Sequence, residues 1–162
     1  MMRFYEDIRV GDREDLGSHL FTADDIKSFA RQFDPQAFHI DEEEGLRSHF
    51  GGLIASGWHT ASVWMRKVAD HSRREAEAMQ SRGERLPQNG PSPGFRDLRW
   101  YKPVHVGDTV TYTLEVIDMR ISQSKPARGI ITLLGSGQNQ HGVRVMSLQS
   151  VTLVERRRPT PP

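Results

Sequence analysis

Asp34 and His39 stand five residues apart in the run Phe33-Asp34-Pro35-Gln36-Ala37-Phe38-His39-Ile40-Asp41. A carboxylate and an imidazole aimed at one water molecule suit proton transfer at a carbon activated by a neighbouring carbonyl. Pro35 stiffens the backbone between them, and Phe38 and Ile40 offer apolar anchors for the loop. The spacing alone leaves a second reading open, in which Asp34 caps local backbone and His39 is a surface loop residue. A second run, Ala55-Ser56-Gly57-Trp58-His59-Thr60-Ala61, puts a glycine where a buried helix should begin. The N–H groups of a first helical turn lack intrahelical partners and carry partial positive charge. A glycine there lets a ligand come close to the backbone, and the amide can hold the oxygen of a carbonyl turning to an enolate. A glycine needed only for tight helix–sheet packing would read the same way.

Other chemistries lack their residues. The chain has no cysteine, which removes disulfides, thiol nucleophiles and thiolate metal sites. None of the seven histidines (19, 39, 49, 59, 71, 105 and 141) belongs to the paired-His motif of a helical zinc site, so no metal is expected. Ser56-Gly57 lacks the Gly-x-Ser-x-Gly nucleophile elbow, and no glycine-rich phosphate loop is present. The 22 Lys and Arg nearly balance 21 Asp and Glu, which argues against a nucleic-acid surface. No apolar run approaches the roughly 20 residues of a membrane span. The early charges of Met-Met-Arg-Phe-Tyr-Glu-Asp leave no signal-peptide core. A cytoplasmic protein without nucleic-acid or membrane partners is expected.

The elements that must position these residues are legible. With 162 residues the chain suits one domain. Glu14–Phe21 reads as a weakly patterned strand. Thr22 then caps a helix whose buried stripe is Ile26, Phe29, Ala30 and Phe33, ending at Asp34 before Pro35. Residues 34–41 read as a loop, and a short acidic helix follows from Asp41 to about His49. Gly51-Gly52 breaks it. From Leu53 to Met65 the chain is apolar or small on nearly every side, which predicts a buried helix beginning near Gly57. Residues 70–85 are strongly charged, so this segment emerges into solvent. Residues 86–94 form a loop rich in Pro and Gly.

The rest is β: Phe95–Tyr101, the turn Pro103–Asp108, a half-buried strand with Val110, Tyr112, Leu114 and Val116 on one face, then Gly129–Gln138 and Val143–Val154. Segregation of helices from a meander of long strands predicts an α+β domain with a helix against an antiparallel sheet. It should span residues 1–156, followed by a frayed basic tail, 157–162.

Three motifs in this order resemble the MaoC-like dehydratase family, the hotdog-fold group that includes (R)-specific enoyl-CoA hydratases. Asp34-Pro35-Gln36-Ala37-Phe38-His39-Ile40-Asp41 is similar to its Asp-x-x-x-x-His motif. Gly52-Leu53-Ile54-Ala55-Ser56-Gly57-Trp58-His59-Thr60 is similar to the start of its central helix. Asp97-Leu98-Arg99-Trp100 with Pro103-Val104-His105-Val106-Gly107-Asp108 is similar to its sheet-edge strand and the turn after it. The resemblance covers about residues 5–156. Departures fall at Gln36, Ala37 and Ser56, where hydratases often carry Asn, Pro and His.

The resemblance implies a single hotdog, a long antiparallel sheet wrapped around the helix from Gly57. It implies reversible hydration of a 2-enoyl-CoA thioester, or dehydration of the 3-hydroxyacyl-CoA. Asp34 and His39 would be catalytic, and the Gly57 amide would bind the thioester oxygen. Coenzyme A would arrive as part of the substrate, with no separate cofactor. A homodimer or higher homo-oligomer is implied. Ser56 is a substrate-binding candidate beside the helix start. Arg96, Arg99, Lys102, Lys125 and Arg128 are candidates for the coenzyme's phosphates, or else ordinary solvated charges. A hotdog thioesterase and a non-catalytic acyl-thioester-binding regulator are the competing functions.

Overall fold

The computed structural model describes residues 2–157. Five strands, β1 (Arg13–Leu20), β2 (Phe95–Trp100), β3 (Thr109–Ile121), β4 (Arg128–Gln138) and β5 (Arg144–Glu155), form one antiparallel sheet in the order β1-β3-β4-β5-β2. The expected meander therefore holds for β3, β4 and β5. The strand from Phe95 does not open it; β2 lies at the far edge beside β5, because the chain crosses over between β2 and β3. The alternation on β3 is kept, with Val110, Tyr112, Leu114 and Val116 all buried.

The described residues include four α-helices, α1 (Ala23–Phe33), α2 (Ala37–Ile40), α3 (Glu42–Arg47) and α4 (Gly57–Ser81), and α4 packs on the sheet. Thr22 caps α1 by accepting a hydrogen bond from Asp25 N–H at 3.2 Å, and Asp41 caps α3 through Glu44 N–H at 3.0 Å. The 25-residue α4 is the central helix. Trp64 seats it on β4: a Cβ built on Gly135 would lie 2.5 Å from Trp64 Cζ2, so only glycine gives the indole this place. Tyr112 adds a tie, its hydroxyl donating to Thr60 O at 3.1 Å. Burying large side chains such as these stabilises by about 1.5–3 kcal/mol each.

Three expectations need correction. The stripe on α1 stops short, since Phe33 is 62% exposed, with its ring tilted against Phe29. Residues 34–41 are not all loop: α2 makes one helical turn and carries His39. The helix from Gly57 is not buried on all sides, because Trp58 and Met65 are each 50% exposed. Of the expected tail, Arg157 is held by Glu6 and Asp7 and lies over the Phe4 ring. Residues 158–162 lie outside the described residues. Among the described residues no helix is long and apolar enough to cross a membrane.

Candidate active site

Asp34 is the C-cap of α1; its N–H donates to Ala30 O at 2.8 Å, and Pro35 prevents the helix from continuing. The carboxylate turns toward the start of α4. Ser56 Oγ donates to Asp34 Oδ2 at 2.7 Å, and Gln36 Nε2 donates to Oδ1 at 2.9 Å. Partial burial pushes the carboxyl upward, but these two hydrogen bonds and the nearby His39 outweigh it and hold the group below its usual range. Asp34 is therefore ionised throughout the neutral range.

His39 is buried, and its position depends on a chain of backbone contacts. Val104 O accepts from Ala55 N–H at 2.8 Å, and Leu53 O accepts from Val106 N–H at 3.3 Å. The Pro103–Asp108 turn thus pins residues 53–55 and presents the Ile54 carbonyl to His39 Nδ1 at 2.8 Å. A carbonyl only accepts, so Nδ1 carries the proton. In the neutral ring Nε2 is then the lone-pair nitrogen, and it faces Asp34 Oδ2 at 3.5 Å. Two proton acceptors thus face each other at a separation that a water molecule can serve, donating one hydrogen to each. Phe38 packs edge-on against the imidazole and is backed by Phe50.

Ser56 does two jobs. Its Oγ donates to Asp34 and accepts from Trp58 N–H at 3.1 Å, which makes it the N-cap of α4. Expected as a substrate-binding residue, it lines the cavity at Asp34 and also donates to that carboxylate. Gly57 opens α4, and its carbonyl accepts from both Thr60 Oγ1 at 2.7 Å and Trp100 Nε1 at 2.9 Å. The indole of Trp100 lies against the Gly57 Cα; a Cβ there would sit 2.7 Å from Nε1. This contact accounts for the glycine through packing.

The cavity has a volume of about 470 Å³, and Asp34, His39, Ser56 and Gly57 all line it. Trp58 and Trp100, in edge-on contact at 5.3 Å, stand beside Gly57. Of the five phosphate candidates only Lys102 lines this cavity. Arg96 donates to Gln149 Oε1 at 3.1 Å, and Arg99 lies in a separate polar cleft. Lys125 and Arg128 sit at the β3–β4 hairpin, where Arg128 is bonded to Gln88 O. Trp100 pairs with Met146 while Arg128 pairs with Glu155, which puts that hairpin about 30 Å along β5 from the cavity. Sequence reasoning missed the roles of Gln36 and Trp100; both lay inside quoted motifs, but Trp100 acts on Gly57, a residue far from it in the chain.

Among the described residues one cluster could hold a metal, Glu14, His71 and Glu75, away from this site. Its carboxylates already have protein cations or N–H groups: Arg3 is paired with Glu14, and Met2 N–H donates to Glu75.

His59 locks α4 to α1. It is 7% exposed, stacked on Phe29 at 4.5 Å and edge-on to Phe21 at 5.0 Å. Burial pushes its imidazole down to about 4, with nearby His19 adding to this and Asp25 opposing it. A folded-state value below the ordinary 6.5 means that the unfolded chain binds the proton better. This stability is complete above about pH 6.5 and is lost as pH falls toward 4, to an extent of up to about 3 kcal/mol. Urea denaturation should show the wild type losing more stability between pH 7 and pH 4.5 than His59→Phe. Equal losses would mean that other groups set the acid limit.

A long helix cradled by five antiparallel strands defines a hotdog fold, and Asp34 and His39 face each other beside the start of that helix. The chain belongs to the MaoC like domain family, whose model matches residues 11–134. It is similar to the solved MaoC-like dehydratase from Rhodospirillum rubrum, with 36% identity, a TM-score of 0.78, and coverage of 96% of this chain and 99% of that one. It is 29% identical over 133 residues to YdeM of Bacillus subtilis (strain 168), covering 82% of this chain and 85% of the relative. It is 27% identical over 125 residues to a 3-hydroxybutyryl-CoA dehydratase of Methylorubrum extorquens, covering 77% and 70%.

Proposed function

We propose that this protein catalyses the reversible hydration of a 2-enoyl-CoA thioester, running in reverse as dehydration of the 3-hydroxyacyl-CoA. The observation that carries the reading is the convergence of Asp34 and His39 Nε2, both proton acceptors 3.5 Å apart, on a cavity that also receives the start of α4. A water that donates one hydrogen to each has its oxygen lone pairs free to attack C3. Its oxygen bonds to C3, one proton passes to the Asp34–His39 pair, and a proton from the pair reaches C2. The net result is H and OH added across the double bond. In the enolate-like transition state the thioester oxygen carries developing charge, which the Gly57 N–H at the positive end of α4 is suited to stabilise. The similarity to a 3-hydroxybutyryl-CoA dehydratase supports the same class of substrate.

The reading includes a homo-oligomer. Edge strand β2 has one unpaired side and exposes Phe95 and Trp100, the kind of edge that invites pairing. A sedimentation mass of a single 18.5 kDa chain at micromolar concentration would count against this.

The deciding experiment follows loss of the conjugated-enoyl absorbance over a series of 2-enoyl-CoA substrates from crotonyl to long-chain, with chiral analysis of the product. Hydration on at least one chain length is expected. Release of free thiol without hydration would indicate a thioesterase, and tight binding without turnover on any substrate would indicate a regulator.

A further inference from the structure

The last residues of β2 divide between two faces of the sheet. Leu98 and Trp100 turn toward α4, and alternation sends Asp97, Arg99 and Tyr101 the other way. On β5, Ser147 pairs with Arg99, and Gln149 lies two residues further along the same face. Together with Arg144 and Leu134 these residues enclose a polar cleft of about 280 Å³. Its charge is unbalanced. Neither Arg99 nor Arg144 has an ion-pair partner among the described residues. The single carboxylate on the cleft, Asp97, makes no ion pair with either.

Two further observations mark the cleft as built. Asp97 has φ +53°, rare for a residue with a side chain, at an irregularity in the β2–β5 register between Arg96 and Arg99. Such a bulge re-aims the side chains beside it. The Tyr101 hydroxyl lies 2.9 Å from Ser147 Oγ. That hydrogen bond is the main cause holding the phenol below its ordinary range; burial opposes it, and the Arg144 and Arg99 guanidiniums add to it. The positive field of the cleft thus acts on a group within it. Unneutralised guanidiniums with hydroxyl donors between them match the oxygens of a phosphate. The cleft also adjoins the reaction cavity, since Tyr101 lines both and Lys102, next in the chain, lines the second.

We propose that the cleft between Arg99 and Arg144 seats the phosphate groups of the substrate's coenzyme, with Tyr101 and Lys102 at the passage toward Asp34. This rests on the thioester reading above. It selects Arg99 and Lys102 from the sequence candidates and adds Arg144, which no local pattern marked.

The test is titration calorimetry with adenosine 3′,5′-bisphosphate as probe, on the wild type and on Arg99→Gln, Arg144→Gln and the double variant. Each single change should weaken the probe about tenfold, the loss of one charge-assisted contact, and the double change should weaken it further. Arg144→Lys should recover part of the loss. Both side chains project into the cleft without ion pairs, so thermal unfolding should verify an intact fold in each variant. An undiminished affinity in the double variant, or no binding to the wild type, would overturn the proposal. Kinetics separate it from the reaction itself. The double variant should raise KM for a CoA thioester about tenfold more than for the matching pantetheine thioester, and an equal rise would overturn it. Arg-dependent binding of the bisphosphate in a protein that hydrates no enoyl thioester would leave the phosphate seat standing and remove the reaction.

Discussion

Asp34→Asn should lower the turnover of enoyl-CoA hydration by about two orders of magnitude or more, the size of a general acid–base contribution. The substitution keeps the side chain's shape and still offers an oxygen to Ser56 Oγ or Gln36 Nε2. What it removes is the charge, and with it the capacity to take a proton from water beside His39 Nε2. His39→Gln should cost a similar factor, because the Nδ1–Ile54 contact that aims Nε2 would be lost with the ring. The residual rate should be measured in protein whose unfolding temperature lies close to wild type, since Asp34 is partly exposed and packs no core. The pH profile supplies a second readout. With Asp34 held below its usual range, titration of Asp34 itself should lower the wild-type rate only at pH values under the ordinary carboxylate range. Near-normal turnover in a folded Asp34→Asn protein would refute the assignment.

The second large effect is expected at Gly57. Gly57→Val should abolish measurable hydration and also destabilise the fold by roughly 1–3 kcal/mol, the usual cost of overpacking. The reason is Trp100: its ring occupies the space where the new side chain must go, and its N–H holds the Gly57 carbonyl. A single substitution therefore mixes two effects, crowding of the indole and disturbance of the amide that should hold the thioester oxygen. Gly57→Ala combined with Trp100→Ala separates them, since the smaller residue leaves room for a methyl group. The double variant should recover stability relative to Gly57→Ala alone while remaining at least about tenfold below Trp100→Ala in turnover. Recovery of turnover to the Trp100→Ala level would assign Gly57 to packing only. Circular dichroism and the enoyl absorbance assay on the same preparations give both readings.

The sequence by itself determined what depends on neighbours in the chain. Thr22 and the residues after it specify α1, and Pro35 ends it at Asp34, because capping and the restriction before proline act over a few residues. The alternation from Val110 to Val116 specifies the buried face of β3 for the same reason. The pairing of Asp34 with His39 was suggested by their spacing and by a family resemblance. Their geometry came from elsewhere in the chain: Ile54 fixes the tautomer of His39, Ser56 holds Asp34, and the Pro103–Asp108 turn holds the segment that carries both. Phe33 and Trp58 read as core residues by their chemistry, yet both are at least half exposed. Only the tertiary structure decided which cations gather. Arg99 and Arg144 are 45 positions apart in the sequence and meet because β2 pairs with β5, whereas Lys125 and Arg128, as plausible by composition, are carried to the opposite end of the sheet. Strand order is set by burial of the whole sheet against α4, and no local pattern encodes it.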